Sequence, residues 1–196
     1  MRKEDGLEVS LRAIPQVEVQ RYSAGMQALH WVMALLMFTV LPLAWAMVEM
    51  PRSLPGRDTY FTLHKSVGIT ILVLAAVRLI LRAMRPVPPE PPGMPRWMAI
   101  AAVASHWLLY AVLFAMPISG YVLTAAGPGS TSYFGLFDLP HLPQSRDLSG
   151  VGRSVHLTLQ WAVYALIALH VLAAAYHVVV RRDGLLEREL PPQRLT

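Results

Sequence analysis

Four apolar stretches without a single Asp or Glu limit what this chain can fold into: residues 24–48, 64–84, 97–124 and 153–180. Each exceeds the roughly 20 residues that a helix needs to cross about 30 Å of hydrocarbon. A backbone in hydrocarbon must satisfy its own hydrogen bonds. The pattern therefore predicts an all-α, integral-membrane four-helix bundle. Residues 23–182 form the transmembrane unit, between a polar arm at 1–22 and a tail at 183–196. With 196 residues, no length remains for a second domain.

The connections differ in kind. Residues 49–63 contain Pro51, Pro55 and Gly56, and residues 125–152 form a longer Gly/Pro/Ser loop. Between the second and third stretches runs the strap RPVPPEPPGMPR at 85–96. Consecutive prolines remove donors and restrict their neighbours, so the strap is not helical throughout.

Lys and Arg set the orientation. With a cytoplasmic amino terminus, 11 of the 17 basic residues fall on the cytoplasmic side and 5 in outer loops, with Arg78 inside the membrane. The positive-inside rule thus places both termini in the cytoplasm, the tail included. It also accounts for the +5 formal charge without invoking nucleic acid. A cleaved signal peptide ending near Ala44-Trp45-Ala46 is the rival for the first stretch. The arm before it carries four basic and four acidic residues and is too long for that role.

Ionisable side chains are costly in hydrocarbon and mark function by default. His30 falls near the cytoplasmic start of the first stretch, and His64 and His156 near the outer starts of the second and fourth. His170 follows His156 by 14 residues, about 21 Å along a helix and close to four full turns, so both project from nearly one face. The outer level therefore offers His64 with His156, and the inner level His30 with His170. An imidazole from each of two helices is what a haem iron needs above and below its plane. Cysteine is absent, which excludes iron–sulfur clusters and covalent c-type attachment. The reading is two noncovalent, bis-His haem b groups, with His30, His64, His156 and His170 as axial ligands. The competing reading of each histidine alone is a polar contact between helices.

Arg78 lies 14 residues after His64, on the same face and at inner depth. A haem propionate would give its guanidinium a bidentate partner. The alternative is snorkelling to the headgroups. Lys65 and Arg153 are weaker candidates for the outer propionates. His106 and His177 fall near the inner leaflet with Tyr110 and Tyr176. They could bind quinone carbonyls and pass protons, or simply anchor the interface. His141 reads as solvent-facing. Pro117 and Gly120, in MPISGY, predict a kink. The outer loops carry Arg52, Arg57, Lys65, Arg146 and Arg153 against Glu49, Asp58, Asp138 and Asp147, a slight excess that suits a small anion.

Several stretches resemble the prokaryotic cytochrome b561 family: YSAGMQALHWVM, LHKSVGITILVLAAVRLILR, SHWLLYAVLFAMPISGY and HLTLQWAVYALIALHVLAAAYH. The resemblance covers about residues 20–190. It implies four helices, two haems on His30, His64, His156 and His170, a bacterial inner-membrane location and exchange of electrons with ubiquinone. One branch of that family oxidises superoxide at the periplasmic face, and its quinone-proximal histidines correspond to His106 and His177. Where that branch has a double histidine, this chain has Tyr176-His177, and its amino-terminal arm is longer than usual. Related cytochrome subunits of hydrogenases and formate dehydrogenases share the helical plan but serve a partner. The expectation is thus an oxidoreductase passing electrons from a periplasmic donor, superoxide in one version, to ubiquinone. A relay subunit between quinol and a partner redox protein is the second reading. A histidine-based metal or proton transporter is the third, and the lack of acidic companions in the apolar stretches opposes it.

Overall fold

In the computed structural model, which describes residues 20–191, four long helices form the protein. Most of the expected arm (1–19) and the last residues of the tail (192–196) lie outside the described residues. Helix α1 spans Ala24–Glu49, α2 Arg57–Met84, α3 Arg96–Ala125 and α4 Arg146–Tyr176. All four are long and apolar enough to cross a membrane. One π-helical turn, His177–Arg181, continues α4, and a 3₁₀ turn, Leu186–Glu189, ends the described chain.

Two helices begin earlier than their apolar stretches: α2 at Arg57 rather than 64, and α4 at Arg146 rather than 153. Hydropathy marks only the part that hydrocarbon would cover, and local chemistry starts the helix sooner. Ser145 caps α4 by accepting a hydrogen bond from the Leu148 N–H at 3.2 Å, and Asp147 sits in its first turn where the helix dipole favours an anion. Before α2, Gly56 takes φ +89°, a left-handed turn that a side chain would strain. The long loop after α3 is also more ordered than its composition suggests. It holds a two-stranded hairpin, β1 Ser132–Tyr133 against β2 Phe137–Asp138. This hairpin is pinned to α2, because the Phe134 N–H donates to Ser66 Oγ at 2.7 Å and Tyr133 OH lies 3.1 Å from Thr70 Oγ1.

Packing pairs α1 with α2 and α3 with α4, and α2 with α3 joins the pairs, whereas α1 and α4 make no comparable approach. Val40, Val67 and Ile71 form the buried α1–α2 seam, with Leu113 of α3 against it. At the α3–α4 seam, a Cβ on Gly152 would fall 2.7 Å from the Leu123 backbone nitrogen, so only glycine permits this approach. Outward-facing Leu35, Phe38, Val73, Ile80, Trp107 and Leu172 are exposed, as a lipid-facing surface requires. The connections α1–α2 and α3–α4 lie at one end of the bundle, here the loop end. The strap and both described termini lie at the other, the tail end.

Candidate functional site

Helices α1 and α2 each present a histidine to α4. At the loop end, His64 of α2 faces His156 of α4 with ring centroids 6.2 Å apart. At the tail end, His30 of α1 faces His170 of α4, again at 6.2 Å. Two metal–nitrogen bonds of about 2 Å each would put facing nitrogens about 4 Å apart. The half-widths of two five-membered rings make up the remainder of 6.2 Å. The centroid spacing of each pair is therefore what two imidazoles on one iron would have.

Two further observations at the loop end agree with a bound macrocycle. A cavity of about 320 Å³ opens there, lined by His64, His156, Met37, Trp45, Ile71 and Gly68 among others. Gly68, one turn after His64, would meet nothing with an added Cβ, so the wall is flat where a planar group would lie. Nδ1 of His64 is buried without a hydrogen-bond partner among the described residues.

Local structure orients the facing ring. His156 Nδ1 lies 2.9 Å from the Met116 carbonyl oxygen and 3.3 Å from Ser119 Oγ. A carbonyl only accepts, so Nδ1 carries the hydrogen and Nε2 keeps the lone pair that a metal needs. Ring and helix α3 are in contact at Gly120, where an added Cβ would fall 2.9 Å from His156 Cε1. The sequence shows Gly120 only as part of a kink motif. Its role as the floor under an imidazole emerges from α3–α4 packing.

The tail-end site is more polar. His106 of α3 stacks edge-on to His170 at 5.8 Å, so three imidazoles gather at this depth. Arg78, with its side chain 12% exposed, points inward rather than snorkelling. It donates to the Met26 carbonyl oxygen at 2.7 Å and to Glu189 Oε1 at 3.1 Å. Glu189 comes from the 3₁₀ turn of the tail, and its Oε1 is also 3.8 Å from His30 Nδ1. Burial pushes its carboxyl up from the ordinary carboxylate range, and the Arg78 guanidinium opposes this. The apolar stretches contain no carboxylate, but the fold brings one to the inner histidines.

The structure places His177 elsewhere. Buried in the π-turn, it is 2.7 Å through Nδ1 from Asp183 Oδ2, and Arg181 Nε donates to the same oxygen at 2.9 Å. Burial acts to raise the Asp183 carboxyl, but the hydrogen bonds from His177 and Arg181 outweigh it and hold it below its ordinary value. His106 is thus grouped with His170, and His177 with Asp183. Single π-turns recur at functional sites, and the one at His177–Arg181 has no evident signal in the sequence. Lys65, considered above for a propionate, donates instead to the Ser130 carbonyl oxygen at 2.6 Å. Arg153 and His141 are exposed. Tyr110 is buried with Arg82 over its ring, and Tyr176 is largely exposed.

The family described as prokaryotic cytochrome b561 matches residues 21–191. The "Probable superoxide oxidase CybB" of Yersinia pestis is 33% identical over 180 residues, covering 89% of this chain and 98% of that protein. "Cytochrome b561 homolog 2" of Escherichia coli (strain K12) is 31% identical over 176 residues, covering 87% of this chain and 92% of its own length.

Proposed function

Since the chain belongs to the prokaryotic cytochrome b561 family, an electron-transfer family of the bacterial inner membrane, we propose that it carries two haem b groups and passes electrons between a periplasmic donor and ubiquinone. The observation that carries this reading is the repeated 6.2 Å pairing of imidazoles at two depths of one bundle. Haem b held at each pair supplies one-electron uptake and release. His64 and His156 hold the loop-end group, and His30 and His170 the tail-end group. With two imidazoles available at each level, a group held there would suit electron transfer rather than oxygen binding. The levels stand about 21 Å apart along α4, so the pair bridges most of the membrane.

The basic excess of the tail end supports a cytoplasmic placement for it. Arg52, Arg146 and Arg153 are then exposed on the periplasmic side, where they favour a small anionic donor. Superoxide, which the name of the Yersinia relative specifies for that protein, fits this charge. Quinone reduction to quinol consumes two electrons and two protons. His106, beside His170, and His177, oriented by Asp183, are the groups at the tail end able to hold and move protons.

A purified chain should show a reduced-minus-oxidised b-type spectrum and, by pyridine haemochrome, about two haems per chain. With superoxide and ubiquinone supplied, quinol should form without any other protein. Colourless, correctly inserted preparations would overturn the haem assignment. Haems that reduce normally, with quinol formed only when a redox protein is added, would favour the relay subunit. That second reading has one observation behind it: the hairpin tip exposes Phe134, Leu136 and Phe137 at the loop end.

Asp183→Asn offers a narrower check on the quinone side. The neutral amide no longer anchors His177 as an anion does. Quinol formation should drop at least about tenfold, within the range a positioned proton-transfer group supplies, while haem content stays the same. An unchanged rate would remove His177 from the proton path.

A further inference from the structure

The tail end holds a carboxylate whose placement the reaction outlined above does not use. Glu189 belongs to a short 3₁₀ turn beyond the last span, yet its side chain is only 17% exposed and Oε2 is buried without a partner among the described residues. The turn is tied down through its backbone. Arg21 Nη1 donates to the carbonyl oxygens of Glu187 at 2.8 Å and Leu190 at 2.7 Å. Gln27 Nε2 donates to those of Arg188 at 3.0 Å and Leu190 at 2.9 Å. The Trp31 indole N–H donates to the carbonyl oxygen of Glu189 itself at 2.7 Å. Three side chains from the start of α1 and the residues before it thus fix a tail that would otherwise fray.

We propose that Glu189 is a positioning residue for electron transfer, a fixed negative charge beside His30 and Arg78 that lowers the reduction potential of the tail-end haem. The inference rests on the haem placement proposed above. Ferric haem carries one more positive charge than ferrous haem. A nearby anion therefore stabilises the oxidised form, and a nearby cation the reduced form. Arg78 alone would be such a cation, poorly screened because it is buried. Paired with Glu189 at 3.1 Å it becomes close to neutral toward its surroundings. A haem held there would then be easier to oxidise than beside an unopposed guanidinium.

The test uses redox-monitored visible spectra of the haem-loaded protein in lipid nanodiscs, with haem counted in each variant. Glu189→Gln keeps an amide oxygen for Arg78 but removes the charge. At a fixed ambient potential, the ferrous-to-ferric ratio of the tail-end haem should rise about tenfold, or about 59 mV for one electron. The loop-end haem should not move. Glu189→Asp should stay close to the parent, and Arg78→Gln should shift the ratio the opposite way. Making the same change in a His64→Ala background, which leaves the tail-end haem alone, assigns the signal. An unshifted tail-end potential with both haems retained overturns the proposal. So does an equal shift of both haems, or loss of the tail-end haem from the Gln and Asp variants alike, which makes Glu189 a structural latch. A parent chain that binds no haem instead refutes the haem placement itself.

Discussion

Replacing His156 by Ala should cut the haem content from about two per chain to about one, and end quinone reduction driven from the periplasmic side. The ring it removes is the partner of His64 at 6.2 Å and borders the loop-end cavity. The next imidazole on α4 is His170, about 21 Å away. The bundle itself should persist. Its seams run through Val40, Val67 and Ile71 and through the α3–α4 contact at Gly152, neither of which needs the imidazole. Pyridine haemochrome and a reduced-minus-oxidised spectrum read the outcome directly. The matching experiment at the tail end is better made at His30 than at His170. His106 lies 5.8 Å from His170 and is a spare imidazole beside it. A His156→Ala protein that retained two haems would refute the loop-end pairing.

Gly120→Val should empty the same site without touching a ligand. Its new Cβ would fall 2.9 Å from His156 Cε1 and 3.0 Å from Nδ1, so the ring or the helix must shift. His156 cannot swing away freely, because its Nδ1–H is committed to the Met116 carbonyl at 2.9 Å. Either that bond breaks, and the tautomer is no longer fixed, or α3 and α4 separate. Overpacking of this kind costs about 1–3 kcal/mol, equivalent to roughly a 5- to 150-fold weaker hold on the loop-end haem. Gly120→Ala should show the same effect more weakly. Gly150→Ala is the control, since an added Cβ there meets nothing within 4 Å. Full loop-end occupancy in the Val variant would mean that the close contact with α3 does not position the ring.

The His-to-His levels were readable because both rules behind them are local. Hydrocarbon thickness fixes the length of a span, and the helical period fixes which residues share a face. His156 and His170 fall on one helix, so their spacing in sequence is their spacing in space. The level of Arg78 along α2 relative to His64 follows from the same rule. Its partner was not foreseen, because a carboxylate from beyond the last span has no period linking it to α2. His106 and His177 looked alike in sequence, both near one leaflet with a tyrosine close by. They part company because α4 loosens into a π-turn and Asp183 follows on the returning chain.

What the sequence determined by itself, then, is the number of spans, and that His156 and His170 share one face of α4 about four turns apart. These follow from interactions within one helix and between that helix and its solvent. The tertiary structure alone decided the 6.2 Å gap in each pair, the hydrogen bond that fixes the His156 tautomer, and the meeting of Arg78 with Glu189 across 111 residues. Such contacts depend on how helices cross and where a tail returns. Those are set by the summed packing of the whole bundle, in which glycines such as Gly120 and Gly152 matter for the side chains they lack.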